Sequence, residues 1–136
     1  MNVAFHIPIT PVPKGRPRFQ RIGSFTKIYT PTKTLQYEKQ ITLACKSAMA
    51  GRPPMTSGLH IDLRFHFEPP KSWSNKRTAA AIDTNHSSKP DIDNLTKAVM
   101  DALNGVAWTD DAQVHSMIVS KSWAATPCVF VHVMEA

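Results

Sequence analysis

The sequence predicts an α+β domain, with a mixed β-sheet and two main helices in a single unit over residues 1–136. Three observations lead there. Residues 59–67 (LHIDLRFHF) alternate strictly between apolar and polar, the mark of a half-buried strand. Residues 91–104 repeat with helical period, and β-prone runs at 2–9, 113–123 and 128–135 supply further strands. A chain of 136 residues buries one real core and leaves little room for a second.

In chain order, NVAFHIPI at 2–9 predicts a first strand, which Pro8 restricts to an edge or a strand end. Residues 10–24 hold three prolines, two glycines and the cations Lys14, Arg16, Arg18 and Arg21 around Phe19, and are expected to form a loop. A short strand is predicted at 25–30. A helix should follow over 33–49, with Thr32 as N-cap and Gly51 and Pro53-Pro54 as the stop. After the strand at 59–67, Pro69-Pro70, a short helix near 73–82 and the polar DTNHSSKP make a connection of the kind that carries function.

The segment 91–104 is the clearest helix. At 100° per residue Ile92, Leu95, Ala98, Val99, Ala102 and Leu103 share one arc, and Asp93, Lys97, Asp101 and Asn104 the opposite one. Gly105 ends it as the C′ residue. Beyond a turn at Asp110-Asp111, the strands at 113–123 and 128–135 are expected to pair as a hairpin around Pro127.

Composition excludes several classes of function. No run approaches the roughly 18 apolar residues of a membrane span, and the first residues lack the apolar core of a signal peptide, so a cytoplasmic protein with no membrane partner is expected. Cys45 and Cys128 stand alone, with no CxxC spacing, which suggests neither a disulfide framework nor a zinc cluster. The net charge of +6 is unevenly divided: residues 1–60 carry nine Lys/Arg against Glu38 alone, while 61–136 carry seven against nine Asp/Glu. One half suits a polyanion, and the other concentrates carboxylates that tolerate phosphate only across a cation.

Those carboxylates sit in Lys89-Pro90-Asp91-Ile92-Asp93-Asn94-Leu95-Thr96-Lys97, then Asp101, Gly105 and Asp110-Asp111-Ala112-Gln113-Val114. The plainest account makes Asp91 a helix cap, Asp93 a first-turn acid and Asp110-Asp111 a turn. Several carboxylates near one helix end, however, repel each other about as much as capping gains. A divalent ion relieves the conflict, and magnesium in particular takes one or two carboxylates plus water and phosphate oxygens. A calcium EF-hand is ruled out, since Leu95, Thr96 and Ala102 stand where that loop needs an oxygen ligand, glycine and glutamate. A phosphotransferase D-x-D motif normally follows an apolar strand, which Ser87-Ser88-Lys89-Pro90 is not, so that reading is kept only as an alternative. Lys97 fits both an i,i+4 ion pair with Asp93 and an ammonium beside a metal-bound phosphate.

KPDIDNLTKAVMDALNG followed by DDAQV resembles the RusA family of Holliday junction resolvases, and PVPKGRPRF, YTPTKT and Tyr37-Glu38 look like the N-terminal part of its phage-type members. The resemblance implies that Asp91, Asp93 and Asp111 are catalytic, metal-holding carboxylates, that Lys97 is an essential lysine, and that Asp101, with Asp110, plays a supporting part. It further implies Mg²⁺ as cofactor with Mn²⁺ as a substitute ion, a homodimer, and paired symmetric nicks in four-way junction DNA, in recombination and repair. Lys14, Arg16, Arg18, Arg21 and Lys89 are assigned to DNA phosphates, with Phe19, Tyr29 and Trp73 interleaved as stacking candidates for unpaired bases. His86 lies close to the motif but outside an all-oxygen ligand set. A DNA-binding module without catalysis, or a nuclease for other branched DNA, are the alternatives.

Overall fold

A computed structural model describes residues 1–16, 18–29 and 31–135, apart from the side chains of Arg18 and Tyr29. The roles expected for those two side chains therefore lie outside the described residues.

The order is β1 (Asn2–Ile7), β2 (Arg18–Ile22), β3 (Phe25–Tyr29), α1 (Thr32–Met49), β4 (Leu59–Phe67), α2 (Asn75–Ala81), α3 (Ile92–Leu103), β5 (Val114–Trp123) and β6 (Cys128–Glu135). A four-stranded sheet runs β1-β6-β4-β5. It is mixed, as expected: β4 pairs parallel to β5 and antiparallel to β6, and β6 pairs antiparallel to β1. The alternation in β4 works as its sequence implies, with Leu59, Ile61, Leu63, Phe65 and Phe67 buried against α1 and α3. α1 contributes Tyr37, Ile41, Cys45 and Met49 to that core, and α3 contributes Leu95, Ala98, Val99, Ala102 and Leu103.

The two main helices, α1 and α3, are accompanied by the short third one expected near 73–82, whose start Ser74 caps by accepting from the Arg77 N–H at 3.1 Å. Several expectations are corrected. β5 and β6 do not form a hairpin: β4 lies between them, and it satisfies the backbone groups of both. Thr32 is the first residue of α1, not its cap; that position belongs to Pro31, which makes no side-chain cap bond.

The loop expected at 10–24 contains a strand. β2 turns tightly at Gly23-Ser24 into β3, forming a separate two-stranded sheet with Phe19 opposite Ile28 and Ile22 opposite Phe25. Gly23 takes φ 59°, a conformation that favours glycine. Among the described residues no helix is long and apolar enough to cross a membrane.

Candidate functional site

α3 starts where Pro90 prevents the preceding chain from being helical and Asp91, in extended backbone, occupies the N-cap position. The cap is empty of its usual bond, since the Asp91 side chain takes no helix N–H. Its Oδ1 accepts instead from Lys89 Nζ at 2.8 Å, on an exposed rim. That hydrogen bond, with the lysine's charge, holds the carboxyl below the ordinary aspartate value. Asp93, in the first turn, accepts the N–H of its neighbour Asn94 at 2.9 Å.

The third carboxylate arrives from the return after α3. Asp111 opens a 3₁₀ turn, Asp111–Gln113, whose cap is Asp110: its side chain accepts from the Ala112 N–H at 3.0 Å, and Gln113 Oε1 accepts from the Asp110 N–H at 2.8 Å. Gln113 Nε2 then donates to the carbonyls of Met55 and Ser57, tying the turn to the start of β4. The two aspartates thus divide their work. Asp110 builds the turn, while Asp111 Oδ1 accepts the indole N–H of buried Trp108 at 2.8 Å and lines the depression beside α3.

Three adjoining depressions have Asp93 in common. One of about 790 Å³ carries Asp91, Lys14, Arg16, Phe67 and Lys89; a second of about 800 Å³ carries Asp91, His86, Ser87, Ser88 and Lys121; a third of about 320 Å³ carries Lys97, Asp101 and Asp111. All four residues expected to be catalytic border this set of depressions, although Asp91 and Asp111 share none of them. Its carboxylate oxygens suit a hard cation that water and a phosphate would complete. Among the described residues no three or more His, Cys, Asp or Glu side chains are grouped so that they could hold a metal ion.

Lys97 points mainly to solvent, with Nζ 3.8 Å from Asp101, so its i,i+4 pair runs to Asp101 rather than to Asp93. Asp101 also receives Lys14 Nζ at 3.0 Å, and Lys14 reaches Glu38 at 2.7 Å. Burial pulls the Lys14 ammonium down, but the bonds to Glu38 and Asp101 outweigh it and leave its pKa raised. Lys14 is thus engaged within the protein, its backbone N–H bonded to the Asn94 carbonyl at 2.9 Å. Gly15 follows it at a close approach: a Cβ there would stand 2.9 Å from both Pro31 Cγ and Thr34 Oγ1. Arg16 and Lys89 remain on the groove, and Arg21 is exposed on β2.

Of the stacking candidates, Phe19 stands exposed on the hairpin. Trp73 is already covered by protein, with the Arg77 guanidinium 3.8 Å over its ring and Trp123 at its edge. His86 is buried between Trp123, stacked at 3.8 Å, and the edge of Phe67. Two residues of the site escaped the sequence reading. Trp108 gave no polar signal, and Lys121, whose Nζ donates to the Ser88 and Pro90 carbonyls at 2.7 Å each, lay hidden as one cation in a strand.

The family model described as Endodeoxyribonuclease RusA matches residues 8–134. An uncharacterized protein of Bacillus subtilis (strain 168), YqaN, is 33% identical over 131 residues, covering 92% of this chain and 90% of that protein.

Proposed function

This chain belongs to the RusA endodeoxyribonuclease family, and from that membership we propose that it is a Mg²⁺-dependent, structure-selective DNA endonuclease of the cytoplasm. It resolves four-way junctions by paired symmetric nicks in opposing strands, in recombination and repair. The observation that carries the reading is the place of Asp93, which borders all three depressions: it shares one with Asp111 and Lys97, another with Asp91, Arg16 and Lys89, and the third with Asp91 and Lys89.

Asp91, Asp93 and Asp111 would hold the Mg²⁺, or Mn²⁺ in its place; the bound ion supplies a lowered pKa for the attacking water and positive charge for the scissile phosphate. The chain's own residues do the rest. Lys97, exposed on α3 and 3.8 Å from Asp101, brings an ammonium to the phosphate and stabilises the charge that develops there. Lys89 neutralises Asp91 in the DNA-free protein across an exposed pair, an interaction weak enough to be exchanged for a backbone phosphate. Arg16 and Arg21 extend that cationic track along the N-terminal half.

Two identical sites at fixed spacing match a two-fold symmetric junction, so the acting form is a homodimer. The test is cleavage of a synthetic mobile four-way junction beside linear duplex and single strands, with Mg²⁺ or EDTA, for wild type and Asp93→Asn. Symmetric nicks confined to the junction, absent in EDTA and in the variant, are expected. Equal cutting of flaps or single strands would broaden the substrate, and tight junction binding with no cutting under any metal would make the protein a DNA-binding module.

A further inference from the structure

We propose that Lys121 is a positioning residue for the acidic groove: seated on the Ser88 and Pro90 carbonyls, its ammonium fixes the turn that delivers Asp91. The inference rests on the nuclease reading and deepens it by adding a second lysine to the site, one that acts from behind a carboxylate rather than on the phosphate.

The chain from 83 to 90 runs along the free edge of β5. Asp83 N–H donates to the Trp123 carbonyl, Trp123 N–H to the Thr84 carbonyl, and His86 N–H to the Lys121 carbonyl at 3.2 Å. Past His86 this backbone ladder ends, and the turn 87–90 is attached to the sheet by the Lys121 side chain, with bonds of 2.7 Å to the carbonyls of Ser88 and Pro90. Among the described residues neither carbonyl receives a backbone N–H. Pro90 is covalently joined to Asp91, whose own carbonyl starts α3 by accepting from the Leu95 N–H at 3.2 Å. One ammonium thus fixes the last turn before the groove.

Charge gives the arrangement its chemistry. Asp91 and Asp93 line the same depression as Lys121 and Ser88, and the half-buried ammonium there offsets their carboxylates as well as the two carbonyl dipoles it is bonded to. An ammonium carries three donors, so one N–H remains beyond the two given to the carbonyls. Lys89 and Lys97 are exposed, whereas Lys121, near the C-terminal end of β5, is held by two main-chain carbonyls.

The experiment compares Lys121→Met, which keeps the stem and removes the charge, with Lys121→Arg, which keeps charge and donors; Lys121→Gln replaces the methionine variant should that one not fold. Junction affinity in EDTA, single-turnover cleavage against Mg²⁺ concentration, and amide hydrogen exchange over residues 86–94 are measured. For Lys121→Met the junction affinity should hold within about threefold while the cleavage rate falls about 10- to 100-fold and more Mg²⁺ is needed, the range expected when a supporting partner of a ligand is lost. Exchange should quicken within 86–94 and not elsewhere, and arginine should restore most of both losses. Wild-type cleavage by Lys121→Met, or losses equally deep in the arginine variant with exchange raised across the whole domain, would overturn the assignment. Should the wild-type protein cut no DNA, the nuclease reading fails by itself, and the exchange pattern still decides the role of Lys121.

Discussion

Trp108, with none of its surface exposed, donates its indole N–H to Asp111 Oδ1 at 2.8 Å, so the apolar core directly orients a carboxylate of the groove. Trp108→Phe removes a hydrogen bond to a charged acceptor and leaves space in the core, and should cost about 3 kcal/mol by urea denaturation. Junction cleavage by the fraction that remains folded should fall about tenfold or more, since Asp111 loses the partner that aims it. Asp111→Asn, which keeps an acceptor oxygen for the indole, should unfold near the wild-type urea concentration while losing cleavage.

Lys14 and Arg21 should separate as a structural and a DNA-facing cation. Lys14→Met breaks bonds to both Glu38 and Asp101 and should lower stability by about 2 kcal/mol. Its raised pKa means this contribution is whole below the ordinary lysine value of 10.5 and is lost only as pH climbs through the folded value above it. Arg21→Met, on the exposed hairpin, should leave stability within about 0.5 kcal/mol. It should weaken junction binding and reduce the slope of log affinity against log salt by about one. Equal effects of the two variants on stability would refute the distinction.

Acid should weaken the fold partly through His86. Burial, and then the nearby Lys121 charge, hold this imidazole below its ordinary value of 6.5. The unfolded chain therefore binds a proton that the folded chain refuses, and stability rises with pH across that window. The contribution is whole above 6.5 and declines as pH falls through that value toward the folded one. The urea midpoint should be lower at pH 5.5 than at pH 7.5, and His86→Gln should narrow the gap; an unchanged gap would show that other groups are responsible.

The β2–β3 hairpin exposes 70% of Phe19 and 75% of Phe25. Replacing both by serine should leave stability within about 0.5 kcal/mol, as for other surface changes. Loss of one stacked base should weaken junction binding by about 1–3 kcal/mol in fluorescence anisotropy, with a smaller effect on linear duplex. The same loss on both DNAs would mean that the hairpin does not read unpaired bases.

The elements with strong periodicity were legible in the sequence. β4 and α3 lie within a residue of where alternation and helical spacing place them, because each buries one face against a single core. Pairing partners were not legible: the alternation of β5 and β6 is the same whether they pair with each other or with β4 between them. For the site, the carboxylates of KPDIDNL and DDAQV were visible as a cluster in the sequence; in the structure Asp91 and Asp93 line one depression, and Asp93 and Asp111 another. What supports them was hidden. Asp110 and Asp111 look equivalent in sequence, and only backbone geometry makes one a cap and leaves the other to Trp108. Lys121 acts through two main-chain oxygens, and a carbonyl has no signature in the sequence.

The placement of β4 between two strands that are neighbours in sequence bears on how the chain reaches this structure. A β5–β6 hairpin could close early across its short turn, yet each strand must then open to admit β4, from which β6 is separated by α2, α3 and β5. Closing such distant segments costs chain entropy before any contact rewards it, so sheet assembly should be the slow step of refolding. The premature hairpin is a natural trap, and Pro127 in its turn lies where a substitution would alter the refolding rate while leaving the final stability nearly untouched.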